Sequence, residues 1–120
     1  MKVREIVTYL KLDVKAGADG LDNEITGGYA SDLLSDVIAN SQEGNLWVTL
    51  QIHKNVLAVA SLKELAGIIL VNGREPDKET LQKAVEEKIP VLTSNLPAFE
   101  VIGRLYALGI TGKSSNGEAL

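Results

Sequence analysis

At 120 residues, with 45% hydrophobic and 23% charged side chains, the chain is long enough to bury the core of one independently folding domain and leaves little room for a second. A net charge of −4 offers no basic footprint for displacing counterions from DNA or RNA, so nucleic acid is not an expected partner. The absence of cysteine excludes disulfides, thiol catalysis and thiolate metal sites, and fits a cytoplasmic protein.

The N-terminal stretch 1–12 carries Lys2, Arg4, Glu5 and Lys11 among its apolar residues, which breaks up any signal-peptide core. The apolar runs of the chain are too short to span a bilayer, so no membrane partner is expected. Val3, Ile6, Val7 and Leu10 recur at helical spacing and predict a short amphipathic helix over 2–10, packed on an edge of the sheet. Segments 12–15 and 24–29 read as strands, and the glycines at 27 and 28 imply a bulge or a close backbone approach in the second. A capped helix is expected over 31–40, with Ser31 accepting from its first turn and Asp32 at its positive end. Asp32 and Asp36 would then share a helix face at i and i+4, a solvated face more than a metal or acid/base pair.

Residues 46–52 predict a strand in which Trp47 is packed, followed by a helix carrying Val56, Leu57, Val59, Ala60 and Leu62. The continuous aliphatic run 66–71 is the pattern of a central parallel strand buried on both faces. Pro76 and Asp77 open a helix whose inner face is Leu81, Ala84 and Val85. A strand over 89–93 follows, then a helix from Pro97 that carries Phe99, Val101, Ile102, Leu105, Tyr106 and Leu108 and ends at Gly109. The domain is expected over 1–110, with 111–120 a flexible polar tail. The two units 46–71 and 66–93 should be right-handed strand-helix-strand crossovers. The fold class is therefore α/β, a three-layer-like sandwich of a mostly parallel sheet with flanking helices.

In such sheets ligands bind beyond the carboxyl ends of the strands. Three apolar runs stop there at polar clusters: His53-Lys54-Asn55, Asn72-Gly73-Arg74 and Thr93-Ser94-Asn95. The candidate ligand-binding residues are His53, Lys54, Asn55, Asn72, Gly73, Arg74, Thr93 and Ser94. His53 and Lys54 stand at a helix start, where exposed amides and a positive side chain favour an anion. Arg74 is suited to phosphate or carboxylate. The bland alternative makes these clusters turns and caps, with Gly73 relaxing the backbone and Ser94 serving a helix start.

Two catalytic signals fail on context. Ala107-Leu108-Gly109-Ile110-Thr111-Gly112-Lys113-Ser114 matches a relaxed phosphate-binding loop, but it follows a helix and leaves six residues for the helix it needs. His53 is the only histidine and has no zinc-ligand companions in the sequence. No catalytic residue, metal ligand or cofactor is assigned.

The chain resembles the DRTGG-domain family over about 1–110, through Asp32-Leu33-Leu34-Ser35-Asp36-Val37, His53-Lys54-Asn55-Val56-Leu57-Ala58-Val59-Ala60, Ile68-Ile69-Leu70-Val71-Asn72-Gly73-Arg74-Glu75-Pro76 and Ile89-Pro90-Val91-Leu92-Thr93. The resemblance implies an α/β domain related to the amino-terminal domain of HPr kinase/phosphorylase, acting as a regulatory or dimerisation module and carrying no kinase site. The sequence departs from the family's naming residues, with His53-Lys54 in place of the acidic-basic pair and Val71-Asn72-Gly73 in place of Thr-Gly-Gly. The expectation is a non-catalytic homodimeric module that binds a small anionic ligand such as a nucleotide, without a cofactor. The alternative is a small enzyme for a phosphorylated or carboxylated metabolite, with His53 as acid/base and Arg74 as anion clamp.

Overall fold

The computed structural model describes residues 1–113. Its elements are α1 (Val3–Leu10), β1 (Asp13–Ala16), β2 (Gly27–Ala30), α2 (Leu34–Asn40), β3 (Asn45–Thr49), α3 (Asn55–Leu62), β4 (Gly67–Leu70), α4 (Lys78–Glu87), β5 (Val91–Thr93) and α5 (Ala98–Ala107). The five strands form one sheet in the order β1-β5-β4-β3-β2, with β1 antiparallel to β5 and every other pair parallel. The aliphatic run around 66–71 is the middle strand, as its pattern requires, because only a strand covered on both faces can bury every side chain.

Alternate residues of the central strands feed two cores. Leu46, Val48, Ile69, Val71 and Leu92 pack with Val3, Ile6 and Leu10 of α1 and Val101 and Leu105 of α5. Trp47, Ile68, Leu70 and Val91 pack with Val37 of α2, Val56, Leu57, Val59 and Ala60 of α3 and Ala84 of α4. The result is the expected three-layer α/β sandwich. Helix α1 covers a face of the sheet beside α5, not the expected edge, because Val3, Ile6 and Leu10 are all buried in the first core.

Three strand-helix-strand units run from β2 to β5, one more than the sequence pattern indicates, since the short strand Gly27–Ala30 also joins in parallel register with β3. All three step in one direction, so crossovers of one hand place α2, α3 and α4 on one face. After β5 the chain returns to the face already covered by α1, where α5 packs.

Several expected boundaries shift. The helix expected from 31 starts at Leu34, with Leu33 as its cap residue and no side-chain cap. Ser31 Oγ instead accepts from Leu33 N at 3.1 Å, and Asp32 lies outside the helix, so Asp32 and Asp36 do not share a helical face. On α4 the buried residues are Thr80 and Ala84, whereas Val85 is 63% exposed. Thr80 lies inside because its hydroxyl donates to Ile52 O at 2.7 Å. On α5 only Val101 and Leu105, one turn apart, are buried, and Phe99 is 90% exposed.

The expected close approach at Gly27 is present. A Cβ there would lie 2.7 Å from Lys113 O and 3.0 Å from Thr111 O, and Gly28 N donates to Thr111 O at 2.8 Å. The described part of the expected tail thus runs along β2, while 114–120, including Ser114 of the loop-like motif, lie outside the described residues. Among the described residues no helix is long and apolar enough to cross a membrane.

Candidate functional site

The carboxyl ends of β2, β3, β4 and β5 lie along one edge of the sheet. Because the strand order never reverses from β2 to β5, this edge lacks the diverging crossovers that open a wide crevice in doubly wound sheets. Among the described residues, two small hollows lie along it.

The first lies between the β3–α3 turn and the start of α4. It encloses about 220 Å³ and is lined by His53, Lys54, Asp77, Lys78 and Glu79. Ile52 O accepts from Asp77 N at 3.3 Å and from Thr80 Oγ1 at 2.7 Å, which fastens the turn to α4. His53 Nδ1 accepts from Asn55 N at 3.2 Å, so the imidazole caps the first turn of α3. Lys54 Nζ lies 3.0 Å from Glu79 Oε2. The hydrogen bond from Lys54, reinforced by its charge and more weakly by His53, holds the Glu79 carboxyl below its ordinary value. The hollow therefore mixes three basic side chains with two acidic ones, and an arriving anion has to displace Glu79 from Lys54.

The other expected residues are placed beside this hollow, not in it. Asn72 and Gly73 both adopt left-handed backbone, with φ of 63° and 69°, a tight corner suited to Asn and Gly. Their amides are spent on the next loop, Asn72 N donating to Leu96 O at 2.8 Å and Gly73 N to Ser94 O at 3.0 Å. Ser94 Oγ accepts from Leu96 N at 3.1 Å, which makes it a turn residue ahead of α5, whose cap position is Pro97. Thr93 is buried within β5. Arg74 is exposed, forms no ion pair among the described residues and does not line the His53 hollow. The structure thus brings His53 and Lys54 together and keeps Arg74 out of their hollow, so the acid/base and clamp pairing of the enzyme alternative is not assembled there.

The second hollow, about 230 Å³, lies where α5 begins to diverge from the other helices. Ala30, Ser31, Asp32, Val48, Thr49, Leu50, Val71 and Ala98 line it. Asp32 organises it: Oδ1 accepts from Thr49 Oγ1 at 2.8 Å and from Leu50 N at 2.7 Å, while its carbonyl accepts from Gln51 Nε2 at 3.0 Å. These bonds stop β3 at Thr49, three residues before the apolar pattern ends. Next to it, Tyr29 OH donates to Asp36 Oδ2 at 2.7 Å and Asn40 Nδ2 donates to Asp36 Oδ1 at 2.9 Å. The hydrogen bond from Tyr29, followed by those from Ser31 and Asn40, pulls the Asp36 carboxyl below its ordinary value. The same pairing, with burial second, raises the Tyr29 phenol. Asp32, Thr49 and Gln51 are the polar residues that strand-end reasoning missed, because it looked after Ile52 and the strand stops earlier. The signal available was Thr49 itself, a polar residue inside an apolar run.

No protein-family model matches this chain, and no curated protein matches it. Among solved structures, it is similar to the CBS and DRTGG domains of the regulatory region of a Clostridium perfringens pyrophosphatase, crystallised with the activator diadenosine tetraphosphate. The identity is 13% and the TM-score 0.65, and the match covers 96% of this chain and 48% of that one. The chain therefore spans about half the length of that solved regulatory region. The likeness is one of fold, and the fold is the DRTGG-like α/β architecture that the sequence resemblance implies.

Proposed function

We propose that this chain is a non-catalytic regulatory module that responds to a small anionic ligand of the nucleotide class and works as a homodimer. The observation that carries the reading is the match of nearly the whole chain, 96% at a TM-score of 0.65, to a regulatory region that binds a nucleotide activator. The local geometry supports it in one respect: His53, Lys54 and Lys78 cluster at a helix start on the carboxyl edge, with Asn55, Asn72, Gly73, Arg74, Thr93 and Ser94 following along the same edge. The positive side chains there favour phosphate, while the first amides of α3 are already taken by His53 and Lys54.

Calorimetry with adenine and guanine nucleotides, inorganic triphosphate and phosphorylated metabolites tests the ligand. Saturable binding that weakens in Lys54→Ala is expected. Glu79→Gln should tighten it, since the competing carboxylate is gone. Absence of heat and of thermal shift across the panel would remove the ligand from the reading and leave the regulatory scaffold.

A further inference from the structure

A third cavity, separate from the His53 hollow but adjoining the Asp32 hollow through Ala30 and Val48, lies at β2 under α5. It encloses about 280 Å³ between β2, α5 and residues 110–112, with Tyr29, Ala30, Ile102 and Tyr106 among its walls. Ser31 N donates to Val48 O of β3, so by the alternation of a ladder the odd-numbered residues of this strand turn their amides and carbonyls to β3 and the even-numbered ones turn theirs outward. Gly28 obeys this, its N–H leaving the sheet for Thr111 O. The same alternation faces the Gly28 carbonyl and the Ala30 amide outward, where the described residues offer them no partner.

Unpaired groups on a strand edge ordinarily invite another strand. Here a strand does not fit: Thr111 already occupies the Gly28 amide, and Ala30 is the last residue of β2. One acceptor and one donor two residues apart are left, beside a 64% exposed tyrosine ring at Tyr106 and the side chain of Ile102. A flat ring that carries a hydrogen-bond donor next to an acceptor satisfies both backbone groups and buries its faces on those walls. The volume lies just below the range of about 300–1,000 Å³ typical of small-molecule sites, which suits one ring system and not a whole dinucleotide.

We infer that the β2-edge cavity binds a heteroaromatic ring of the aminopurine class, with the Gly28 carbonyl accepting from its amino group and the Ala30 amide donating to the adjacent ring nitrogen. The inference rests on the nucleotide reading and supplies it with a base-binding end. The test is amide-resolved NMR of the full chain titrated separately with adenosine, which has no phosphate, and with inorganic triphosphate, which has no base. Adenosine is expected to shift the amides of Gly28, Ala30 and Gly112 saturably and to leave those of His53 and Lys54 in place. Ala30→Pro deletes the donor at an edge position where proline is tolerated, and should weaken adenosine binding roughly three- to tenfold, the worth of one hydrogen bond. Tyr106→Ala, at an exposed helical position, should weaken it comparably and serves if the proline variant does not fold.

Adenosine that shifts no β2-edge amide, or that binds equally to a folded variant, overturns the inference. If triphosphate still shifts His53 and Lys54 in that case, the proposed function survives without this site. If neither probe binds, the base site falls and the anion-binding part of the proposed function loses its support at His53 and Lys54.

Discussion

Asp32 shows how one side chain fixes where a strand ends. Its carboxylate serves a hydroxyl that is nearly out of solvent, since Thr49 is 2% exposed, and the amide of Leu50. Asp32→Ala leaves both donors without that acceptor, a loss of about 1 to 2 kcal/mol in unfolding free energy. Asp32→Asn keeps an oxygen in place and should lose less. A double-mutant cycle with Thr49→Val in urea denaturation checks this, and additivity of the two single losses would deny the pairing. Asp36 makes the second residue-scale prediction. Its carboxyl is held below the ordinary aspartate value of about 3.9 by the hydrogen bonds from Tyr29, Ser31 and Asn40. The ionised form is favoured by folding, so its contribution is present above that ordinary value and is lost as pH falls through the lower folded one. The stability gap between the native chain and Asp36→Asn should therefore be largest near neutral pH and shrink in acid. Urea midpoints at several pH values measure it, and a gap independent of pH would contradict it.

At the scale of elements, burial separates residues that look alike in sequence. Ile69 of β4 is 0% exposed and Phe99 of α5 is 90% exposed. Ile69→Ala should cost about 2 to 5 kcal/mol, because it removes apolar contacts and leaves a cavity. At concentrations where the chain is monomeric, Phe99→Ala should fall within about 0.5 kcal/mol of the native chain, as surface changes do. Thermal and urea unfolding of the pair read this directly. The same scale explains the site. The apolar run into Ile52 reads as strand to its end, yet β3 stops at Thr49 because Asp32 from the preceding turn takes the amide of the next residue, Leu50. Likewise Val85 fits the inner stripe of α4 by spacing, but the bond from Thr80 to Ile52 O sets a different rotation of that helix.

At the scale of the molecule, two edges of the sheet differ. The β2 edge is partly closed by Thr111. The β1 edge is short, has a bulge between Val14 and Ala16, and carries Lys15 in an ion pair with Glu75 at 3.4 Å, devices that discourage strand-to-strand association. If the chain dimerises as proposed, the contact should therefore come from helix faces and not from edge pairing. Light scattering across a range of concentrations should give twice the chain mass, and Phe99→Asp on the exposed face of α5 should shift it toward the monomer. A strictly monomeric chain at the highest concentration would end the dimer proposal.

Composition and periodicity by themselves determined the α/β class, the buried central strand at 67–70 and the helices that cover it, because hydrophobic spacing is a local record of which faces are buried. They also located the polar clusters at the strand ends. Only the tertiary structure decided which clusters meet. His53 and Lys54 share a hollow with Asp77, Lys78 and Glu79, while Asn72 and Gly73 are committed to the loop at Ser94–Leu96. Those partners lie more than 20 residues apart in the chain, and their meeting follows from strand order and helix rotation, which no local pattern encodes.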